Sequence, residues 1–327
     1  MRPYSLLTLL ALVLLAQPAI AVVPGTGTRM ESFGDDFEDV EWKFVHNFPK
    51  SSKEIDERVR NPTGYSMNGK WGEGLKRGQP DIIERVPTPP GGLAGSKGAL
   101  MMRSLVTGQP GRTSWKMQQD DLIIKSGNMG HLPVSMTPNA VVRVYMPPFE
   151  QWENATGSSF GIRASVIAEG PSRDKPRRGL FSRRRRSRGT EIETYYPGFF
   201  IQFNSETDRR YEEDSAVMII RGDSYGRDFN GPMITQTGWW TFGMSFTPDG
   251  RVHYYASPGV DDLTAEDHIG THRPQGVKVL KFKTVFFNVV NRDNGRDWST
   301  QWIVDDPQLF VIRGLQQARR SSNYYRR

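Results

Sequence analysis

The sequence predicts an all-β fold in which two antiparallel sheets form a sandwich with long loop insertions. Short segments rich in Val, Ile, Phe, Tyr and Trp recur along the chain, and Gly, Pro, Asn and Asp bound them, as expected for strands. Several of these segments alternate apolar and polar side chains, as half-buried strands require. No segment shows the helical pattern of about 10–15 residues that separates parallel strands, so an α/β class is excluded.

The chain begins with the pattern of a secretory signal. Arg2 precedes an apolar run from Leu6 to Leu15, and Ala19 and Ala21 supply small residues at a cleavage site. The run is shorter than the ~20 apolar residues that span a bilayer. We therefore predict a signal peptide at residues 1–21, with no membrane span after its cleavage. The mature protein is then secreted, periplasmic or held at the cell surface.

The composition favours a bacterial exported protein. The 327 residues include no cysteine, whereas exported animal domains commonly carry disulfides. The net charge of +7 is local, because residues 173–188 hold nine basic residues and one acid, and the tail from Arg313 adds five arginines without an acid. The remainder of the chain is mildly acidic. This distribution argues against specific nucleic-acid binding, which needs a basic face.

One folded domain is predicted at residues 35–313. Residues 22–34 are rich in Gly and Thr and predict a flexible leader, and residues 314–327 form a basic tail. A disordered insertion is predicted at 169–190, because its Pro, Gly and basic residues cannot bury a core. The segments on either side have the pattern of neighbouring strands, so the insertion belongs to a loop of a single domain.

The predicted strands follow one another to the end of the domain. They are Asp36–Val45, Asp81–Val86, Ala99–Val106, Asn139–Tyr145, Phe160–Ala168, Gly198–Phe203, Ala216–Arg221, Trp239–Thr247, Arg251–Ala256, Val277–Lys281, Val285–Val290 and Gln301–Ile312. The clearest hairpin turns at Pro248-Asp249-Gly250, where Pro presets one dihedral and Gly accepts a positive φ. Residues 46–80 predict a long irregular excursion with room for a short helix near Ser52–Arg60.

The first and last strands carry a resemblance to known folds. Asp35-Asp36-Phe37-Glu38-Asp39 with Trp42 resembles the opening strand of bacterial jelly-roll carbohydrate-binding modules. Trp302-Ile303-Val304-Asp305-Asp306 with Leu309 resembles their closing strand. Both segments also resemble the concanavalin A-like lectin/glucanase superfamily. The resemblance implies a jelly-roll sandwich whose two ends lie side by side, and it implies carbohydrate binding.

The resemblance also implies a structural calcium between the paired ends. Asp36, Glu38, Asp305 and Asp306 would supply oxygen ligands, of which calcium takes about six to eight. The alternative is that these acids are solvated edge residues that discourage pairing between sheets.

Adjacent aromatic pairs give the best indication of a binding surface. These pairs are Tyr195-Tyr196, Trp239-Trp240 and Tyr254-Tyr255. In a strand, one ring of each pair faces the core and the other faces out, where it can stack on a sugar ring. Trp240 shares the phase of Phe242 and Met244, so Trp239 and Tyr255 are predicted to face out. The alternative is that both rings pack, one of them beneath a loop.

A carbohydrate-binding site is predicted from Trp239, Tyr255, Arg163, Gln202 and His253. The same residues bear on an enzymatic alternative. Jelly-roll polysaccharide lyases need a base, usually Tyr or His, and a cation that neutralises a uronate carboxylate. In that alternative His253, with Tyr254 and Tyr255, is the candidate base, and Arg163 or Arg221 is the candidate cation.

The sequence disfavours a glycoside hydrolase of the same fold, because it lacks a complete catalytic motif of that class. Glu191-Ile192-Glu193-Thr194-Tyr195-Tyr196 is the nearest match to the laminarinase-type pattern, but Tyr196 stands in place of the third carboxylate. No catalytic residue is therefore predicted. Three functions stay open: a non-catalytic protein that binds polysaccharide or envelope glycan, a polysaccharide lyase or hydrolase, and a surface protein that contacts anionic partners through Arg183–Arg188.

Overall fold

The computed structural model describes residues 21–171, 190–223 and 225–312, which form two stacked antiparallel sheets. The strands in chain order are β1 Thr28–Arg29, β2 Phe44–Val45, β3 Tyr65–Ser66, β4 Trp71–Glu73, β5 Ile82–Pro87, β6 Gly98–Arg103, β7 Gln118–Ile124, β8 Leu132–Pro133, β9 Asn139–Met146, β10 Ser159–Pro171, β11 Thr190–Tyr195, β12 Gly198–Asn204, β13 Ser215–Ile220, β14 Phe229–Ile234, β15 Gly238–Phe246, β16 Val252–Pro258, β17 His268–His272, β18 Lys278–Asn291 and β19 Trp302–Val311. The one α-helix in the described residues, α1, spans Lys53–Asp56, and short 3-10 turns occur at Gly127–Met129, Val134–Met136, Phe149–Gln151, Ala265–Asp267 and Pro274–Gly276. The predicted all-β sandwich is confirmed.

Sheet A has the strand order β17-β16-β15-β9-β19-β6-β5, and β1 pairs with β19. In β15 the side chains of Trp240, Phe242 and Met244 point into the core, as their alternation predicted. The predicted hairpin joins β15 and β16, and Gly250 has a φ of 80° in its turn. A positive φ there explains why the turn ends in glycine.

Sheet B has the strand order β14-β13-β12-β10-β18-β7-β4-β3-β2, with β11 beside β10 and β8 beside β18. Its centre is the long antiparallel pair β10–β18, in which Ser159 lies opposite Val290 and Arg163 opposite Phe286. Phe160 and Ile162 of β10 point into the core, so the residues that alternate with them, such as Arg163, point to the outer face of the sheet.

A continuous column of aromatic rings joins the two sheets. Trp302 of sheet A lies 5.0 Å from Phe160 of sheet B, measured between ring centroids. Neighbouring rings in the column are separated by 4.8 to 5.9 Å. The aromatic column consists of Trp152, Trp302, Phe160, Phe287, Trp71 and Phe37. All of these side chains are buried, so the column supplies a large share of the apolar surface that holds the sandwich together.

The two ends of the domain lie side by side, as the resemblance implied. Thr28 of β1 pairs with Val311 of β19, and the Met30 N–H donates to the Leu309 carbonyl at 2.8 Å. Strand β19 is central in sheet A, between β9 and β6, and its pairing with β9 is interrupted by a bulge after Asp305. The proline that follows Asp306 falls in this bulge, where a missing N–H breaks no ladder bond.

The predicted strand at Asp36–Val45 is wrong for most of its length, because only Phe44–Val45 is a strand. The carboxylates of Asp36 and Asp39 each accept the backbone N–H two residues further on, which forms turns. Phe37 has a φ of 55°, and this turned backbone directs its ring into the core. The acids that resembled a strand motif therefore break the strand.

Residues 22–34 contribute to the fold and are not a free leader. Within them, Thr28–Arg29 forms β1, and the buried Phe33 ring packs 6.4 Å from Phe282. Gly27 has a φ of 104°, and a side chain there would collide with the Val311 carbonyl. Glycine thus lets this segment approach the closing strand.

The insertion in sheet B begins later than predicted. Strands β10 and β11 pair as far as Pro171 and Thr190. Residues 169–171 and 190 therefore belong to a hairpin, although they fall within the predicted insertion at 169–190.

Several predicted segments lie outside the described residues. They are the signal sequence up to residue 20, the basic residues 172–189 with the run Arg183–Arg188, and the tail 314–327. The expectations for these segments stay predictions. Among the residues that are described, no helix has the length and apolar character needed to cross a membrane.

We expect Trp302→Ala to lower the free energy of unfolding by about 3–5 kcal/mol, because the ring is 1% exposed and its removal opens a cavity in the aromatic column. Guanidinium unfolding followed by circular dichroism measures this change. The control is Val40→Ala, whose side chain is 75% exposed and should matter by less than about 0.5 kcal/mol. A loss below about 1 kcal/mol for the Trp302 variant would contradict the assigned role of the column.

Candidate functional site

The outer face of sheet B carries a set of polar and aromatic side chains in register. Residues of β10 that alternate with the core residues point outward, and the paired strands β7, β12 and β18 add their own outward residues. We call this set the sheet-B face; it consists of Asp121, Arg163, Phe200, Gln202, Phe286 and Asn288. Four different strands supply these side chains, so the face exists only when sheet B is assembled.

Arg163 lies at the centre of the sheet-B face and is surrounded by three aromatic rings. Its guanidinium carbon is 5.3 Å from the ring centroid of Phe286, 5.6 Å from that of Tyr196 and 5.7 Å from that of Phe200. Its Nε and Nη2 donate to the Tyr196 carbonyl at 3.1 and 2.7 Å. Such cation–π contacts strengthen where water is excluded.

Arg163 is a half-buried cation that has no carboxylate within salt-bridge distance in the described part of the chain. Burial, assisted by the nearby charge of Arg221, lowers the pKa of Arg163 to about 10. The side chain therefore stays charged at neutral pH. A partly buried charge without an ion pair is costly, and an incoming anion would offset this cost.

Further basic side chains surround Arg163. The Arg221 guanidinium lies 5.5 Å from the Phe200 ring and pairs with Asp228 at 2.5 Å. Lys76, in the loop that follows β4, places its Nζ 4.9 Å from the Tyr196 ring. Aromatic rings between cations make a positive, partly apolar surface that attracts anions with apolar faces.

A pocket of about 150 Å³ opens beside Arg163. Its lining consists of Arg163, Glu193, Thr194, Tyr195, Tyr196, Pro197, Arg221, Gly222, Pro274 and Gln275. The volume suits a carboxylate or sulfate group with its water better than a whole sugar ring. Both arginines border this space, so an anionic group inside it meets two guanidinium groups.

A hydrogen-bonded group forms the floor of the sheet-B face. The Asp121 carboxylate accepts from Asn288 Nδ2 at 2.6 Å and from Gln119 Nε2 at 2.8 Å, and burial raises the pKa of Asp121. The other amide atom, Asn288 Oδ1, is buried without a partner in the described residues. A Cβ on Gly161 would lie 2.6 Å from Asn288 and 2.7 Å from Phe200, so this close packing requires glycine.

The five predicted carbohydrate-binding residues do not form one site. Arg163 and Gln202 both lie on the sheet-B face. Trp239, Tyr255 and His253 lie on the outer face of sheet A, on the opposite side of the sandwich. Sequence alone did not assign the two groups of strands to different sheets.

Trp239 and Tyr255 point away from the core, as their phase predicted, but neither ring is exposed. Trp239 is 6% exposed; it packs 5.5 Å from Tyr145 and donates Nε1 to the Pro89 carbonyl at 3.2 Å. Tyr255 is 1% exposed and packs with Leu263. Loops cover both rings, which is the alternative considered for these aromatic pairs. These two side chains therefore do not provide a surface on which a sugar could stack.

His253 is poorly suited to act as a catalytic base. Its two ring nitrogens contact the hydroxyls of Thr247 at 2.9 Å and Thr271 at 2.7 Å. Burial lowers the pKa of His253 to about 4. Because the ring is enclosed and lies across the sandwich from Arg163, the predicted pairing of these two residues in a lyase site is wrong.

The four predicted calcium ligands lie near one another, but the protein's own groups already bind them. Glu38 accepts backbone N–H groups from the β5–β6 loop, and Asp305 accepts the Ser96 hydroxyl at 2.8 Å. Asp36 closes its own turn, and Asp306 faces an arginine of β1 at 3.4 Å. Within the described ranges, no group of three or more His, Cys, Asp or Glu could hold a metal ion. The structure thus gives no support to a calcium site at these four carboxylates.

The sequence did not indicate the residues that surround Arg163. Tyr196 was identified as one of an aromatic pair, and its neighbour Tyr195 faces the core as that pairing predicted. Phe200, Phe286 and Lys76 gave no separate signal, because each is one apolar or basic residue in an ordinary strand or loop.

We expect Asp305→Asn to stabilise the protein by about 1–2 kcal/mol near pH 7.5 and to have no effect near pH 4. Burial raises the pKa of Asp305 to about 6, above its unfolded value near 4. The native state therefore binds this proton more tightly, and its stability falls as pH rises from about 4 through 6. Denaturant unfolding at both pH values measures the difference. The exposed control Val40→Ala removes no titratable group and should give a flat profile, and a pH-independent effect of Asp305→Asn would contradict the assignment.

Calcium is expected to leave the thermal midpoint unchanged, because the Asp36, Glu38, Asp305 and Asp306 carboxylates are occupied by protein donors. Differential scanning calorimetry in millimolar CaCl₂ and in EDTA tests this expectation. A rise in the midpoint that EDTA reverses would show that these carboxylates exchange their partners for the ion.

No family model matches the sequence, and no curated protein matches it. Solved structures that match include the exoplasmic/lumenal domain of VIP36 in a form bound to Ca²⁺ and Man2, at 10% identity and a TM-score of 0.39, covering 88% of this chain and 94% of that chain. An alginate lyase of Pseudomonas aeruginosa matches at 8% identity and a TM-score of 0.37, and the match covers 71% of this chain and 87% of that chain.

The binding domain of Paraclostridial Mosquitocidal Protein 1 matches at 8% identity and a TM-score of 0.35, covering 80% of this chain. The present chain spans about half, 49%, of that chain's length. Similarity at these levels gives no basis for transferring a ligand or a reaction.

Proposed function

We propose that this chain is an exported, non-catalytic β-sandwich protein that binds an acidic glycan on the sheet-B face. The observation that carries the proposal is the half-buried guanidinium of Arg163, which has three aromatic neighbours and, in the described residues, no carboxylate within salt-bridge distance. The glycan would be a polysaccharide or cell-envelope component that carries carboxylate or sulfate groups.

An acidic glycan satisfies both features of the face. Its anionic group offsets the charge of Arg163 in the pocket, where a guanidinium can donate two parallel hydrogen bonds. Its sugar rings offer apolar faces to the partly exposed Tyr196 ring and hydroxyls to polar groups such as Gln202. A small inorganic anion would use only the first of these features.

The charge distribution supports an anionic partner at the surface of the cell. Export rests on the secretory pattern in residues 1–21, and the run Arg183–Arg188 adds a second contact with anionic envelope material. The pair β10–β11 connects this run to the strand that carries Arg163.

A polysaccharide lyase is the second candidate, and Tyr196 is the observation that favours it. Its phenol ring lines the same pocket as Arg163, so a base and a carboxylate-neutralising cation are neighbours there. Unsaturated uronate products released by the wild type, but not by Tyr196→Phe, would establish the lyase. Their absence across uronate and sulfated polymers supports the binding function.

We expect Arg163→Gln to weaken binding of a uronic acid oligosaccharide by about 10- to 100-fold, because the variant loses a charged donor to the anion. Isothermal titration calorimetry on the full chain, with a neutral gluco-oligosaccharide of equal length as the comparison ligand, measures the change. Arg251→Gln removes one positive charge from the β15–β16 turn of sheet A and should leave the affinity unchanged.

Arg221→Gln provides a second test if Arg163→Gln fails to fold, since Arg221 is half exposed at the pocket. It should reduce affinity several-fold at low salt and less at high salt. Wild-type protein that binds no acidic oligosaccharide, or that binds it unchanged in both variants, would overturn the proposed function.

A further inference from the structure

The loop between β6 and β7 presents an exposed tryptophan on a strained backbone. Trp115 is 58% exposed, although large apolar side chains are usually covered. Its φ of 58° lies in the left-handed region, which costs free energy for a residue with a bulky side chain. The surrounding structure must therefore hold this conformation in place.

A buried carboxylate holds the loop. Asp293, which is 1% exposed, accepts the Ser114 N–H at 2.6 Å and the Thr107 N–H at 3.2 Å. Its own carbonyl accepts the Trp115 N–H at 3.1 Å. Asp293 also has a positive φ, 48°, so both segments that meet here are strained.

A second buried residue, Asn291 at the end of β18, reinforces this contact. Its Oδ1 accepts the Thr107 hydroxyl at 2.7 Å and the Asp293 N–H at 2.9 Å. Its Nδ2 donates to the carbonyls of Ser104 and Leu105 at 3.1 and 3.2 Å. Buried polar groups cost free energy unless they are hydrogen-bonded, and the groups named here are all paired. Together these hydrogen bonds fix the position of one exposed ring.

The exposed ring lies among cations. The Arg296 guanidinium is 5.4 Å from the centroid of the Trp115 ring. Arg112, Lys116 and Arg292 are exposed in the same two segments, and none of the four cations has an ion-pair partner among the described residues. The carboxylate of Asp293 is occupied within the loop. An aromatic plate with surplus positive charge thus faces solvent.

Two strands of the sheet-B face, β7 and β18, have one end next to the loop that carries Trp115. Strand β7 begins three residues after Trp115 and carries Asp121, and β18 ends two residues before Asp293 and carries Phe286. Five residues of β18 separate Phe286 from Asn291, which at about 3.3 Å per residue is about 17 Å. At this spacing, a ligand several sugars long is needed to reach the loop from the Arg163 pocket.

We propose that Trp115 and Arg296 form a second subsite for an acidic glycan, in which the Trp115 ring stacks on a sugar and the cations bind its anionic groups. The inference rests on the proposed function and specifies it further. The ligand would be a chain of several sugars that reaches from the Arg163 pocket to the Trp115 ring.

The test compares Trp115→Ala with wild-type full-length chain across a series of uronic acid oligosaccharides, from dimer to octamer, by isothermal titration calorimetry. Long oligosaccharides should bind about 10-fold more weakly to the variant, because a stacking contact is lost. Dimers, which place one anionic group in the Arg163 pocket and are too short to reach Trp115, should bind equally well. Trp115→Tyr keeps a stacking ring and should restore most of the affinity.

Two controls separate this subsite from general effects. Tyr225→Ala removes another exposed ring that is paired with an arginine, Arg227, and should not change affinity for any length. Asp293→Asn removes the charge that orients the loop and should weaken binding of long oligosaccharides only. An unchanged thermal midpoint of Trp115→Ala would confirm that the exposed ring does not support the fold.

The outcomes distinguish this inference from the proposed function. Equal affinity of Trp115→Ala and wild type for octamers, with binding lost in Arg163→Gln, would overturn the Trp115 subsite alone. Weaker octamer binding in Trp115→Ala, with Arg163→Gln unaffected, would overturn the Arg163 pocket and uphold the subsite. If the wild type binds single-stranded DNA more tightly than any glycan, and Trp115→Ala loses this binding, the glycan assignment is overturned. If the wild type binds none of the oligosaccharides, the proposed function and the Trp115 subsite are both overturned.

Discussion

Packing of the aromatic column between the sheets is the interaction on which the rest of the structure depends. Trp302 of the closing strand contacts Phe160 of β10, so the column fixes sheet B against sheet A at the strand that carries Arg163. Side chains alternate along β10, and the rings that fill the core therefore decide which residues face outward. The proposed binding face is therefore the outer surface of the same strands whose inner surface forms the core.

The sheet-B face and the Trp115 loop illustrate two ways of positioning a binding group. Arg163 is positioned by strand register and by rings from neighbouring strands, which gives a rigid but enclosed cation. Trp115 is positioned by a buried carboxylate and amide, which give an exposed ring on an otherwise irregular loop. Both devices reduce the conformational freedom that a ligand would have to remove on binding.

Local pattern predicted most of the long strands and their phase, because burial imposes a period of two on each strand, whereas the side-by-side ends followed from the resemblance. It did not predict β7, which carries Asp121. It identified Trp239 as outward-facing but not the loop that covers it, since loop paths leave no periodic signal. It missed the opening turns, where acids bind their own backbone. The contact between Ser114 and Asp293 joins residues 179 positions apart, so only the assembled fold reveals it.

Buried carboxyls give the folded protein a different charge from the one counted in its sequence. Burial raises the pKa of Asp305 to about 6 and that of Glu153, which accepts the Arg292 N–H at 2.9 Å, to about 7. Both groups take up protons in mildly acidic solution, where the arginines remain charged and ordinary sugar carboxylates, with a pKa near 4, remain ionised. Acidification thus makes the sandwich more cationic, while a polyuronate of the kind proposed as its ligand keeps its charge, so long-range attraction between the two would grow as pH falls toward 5.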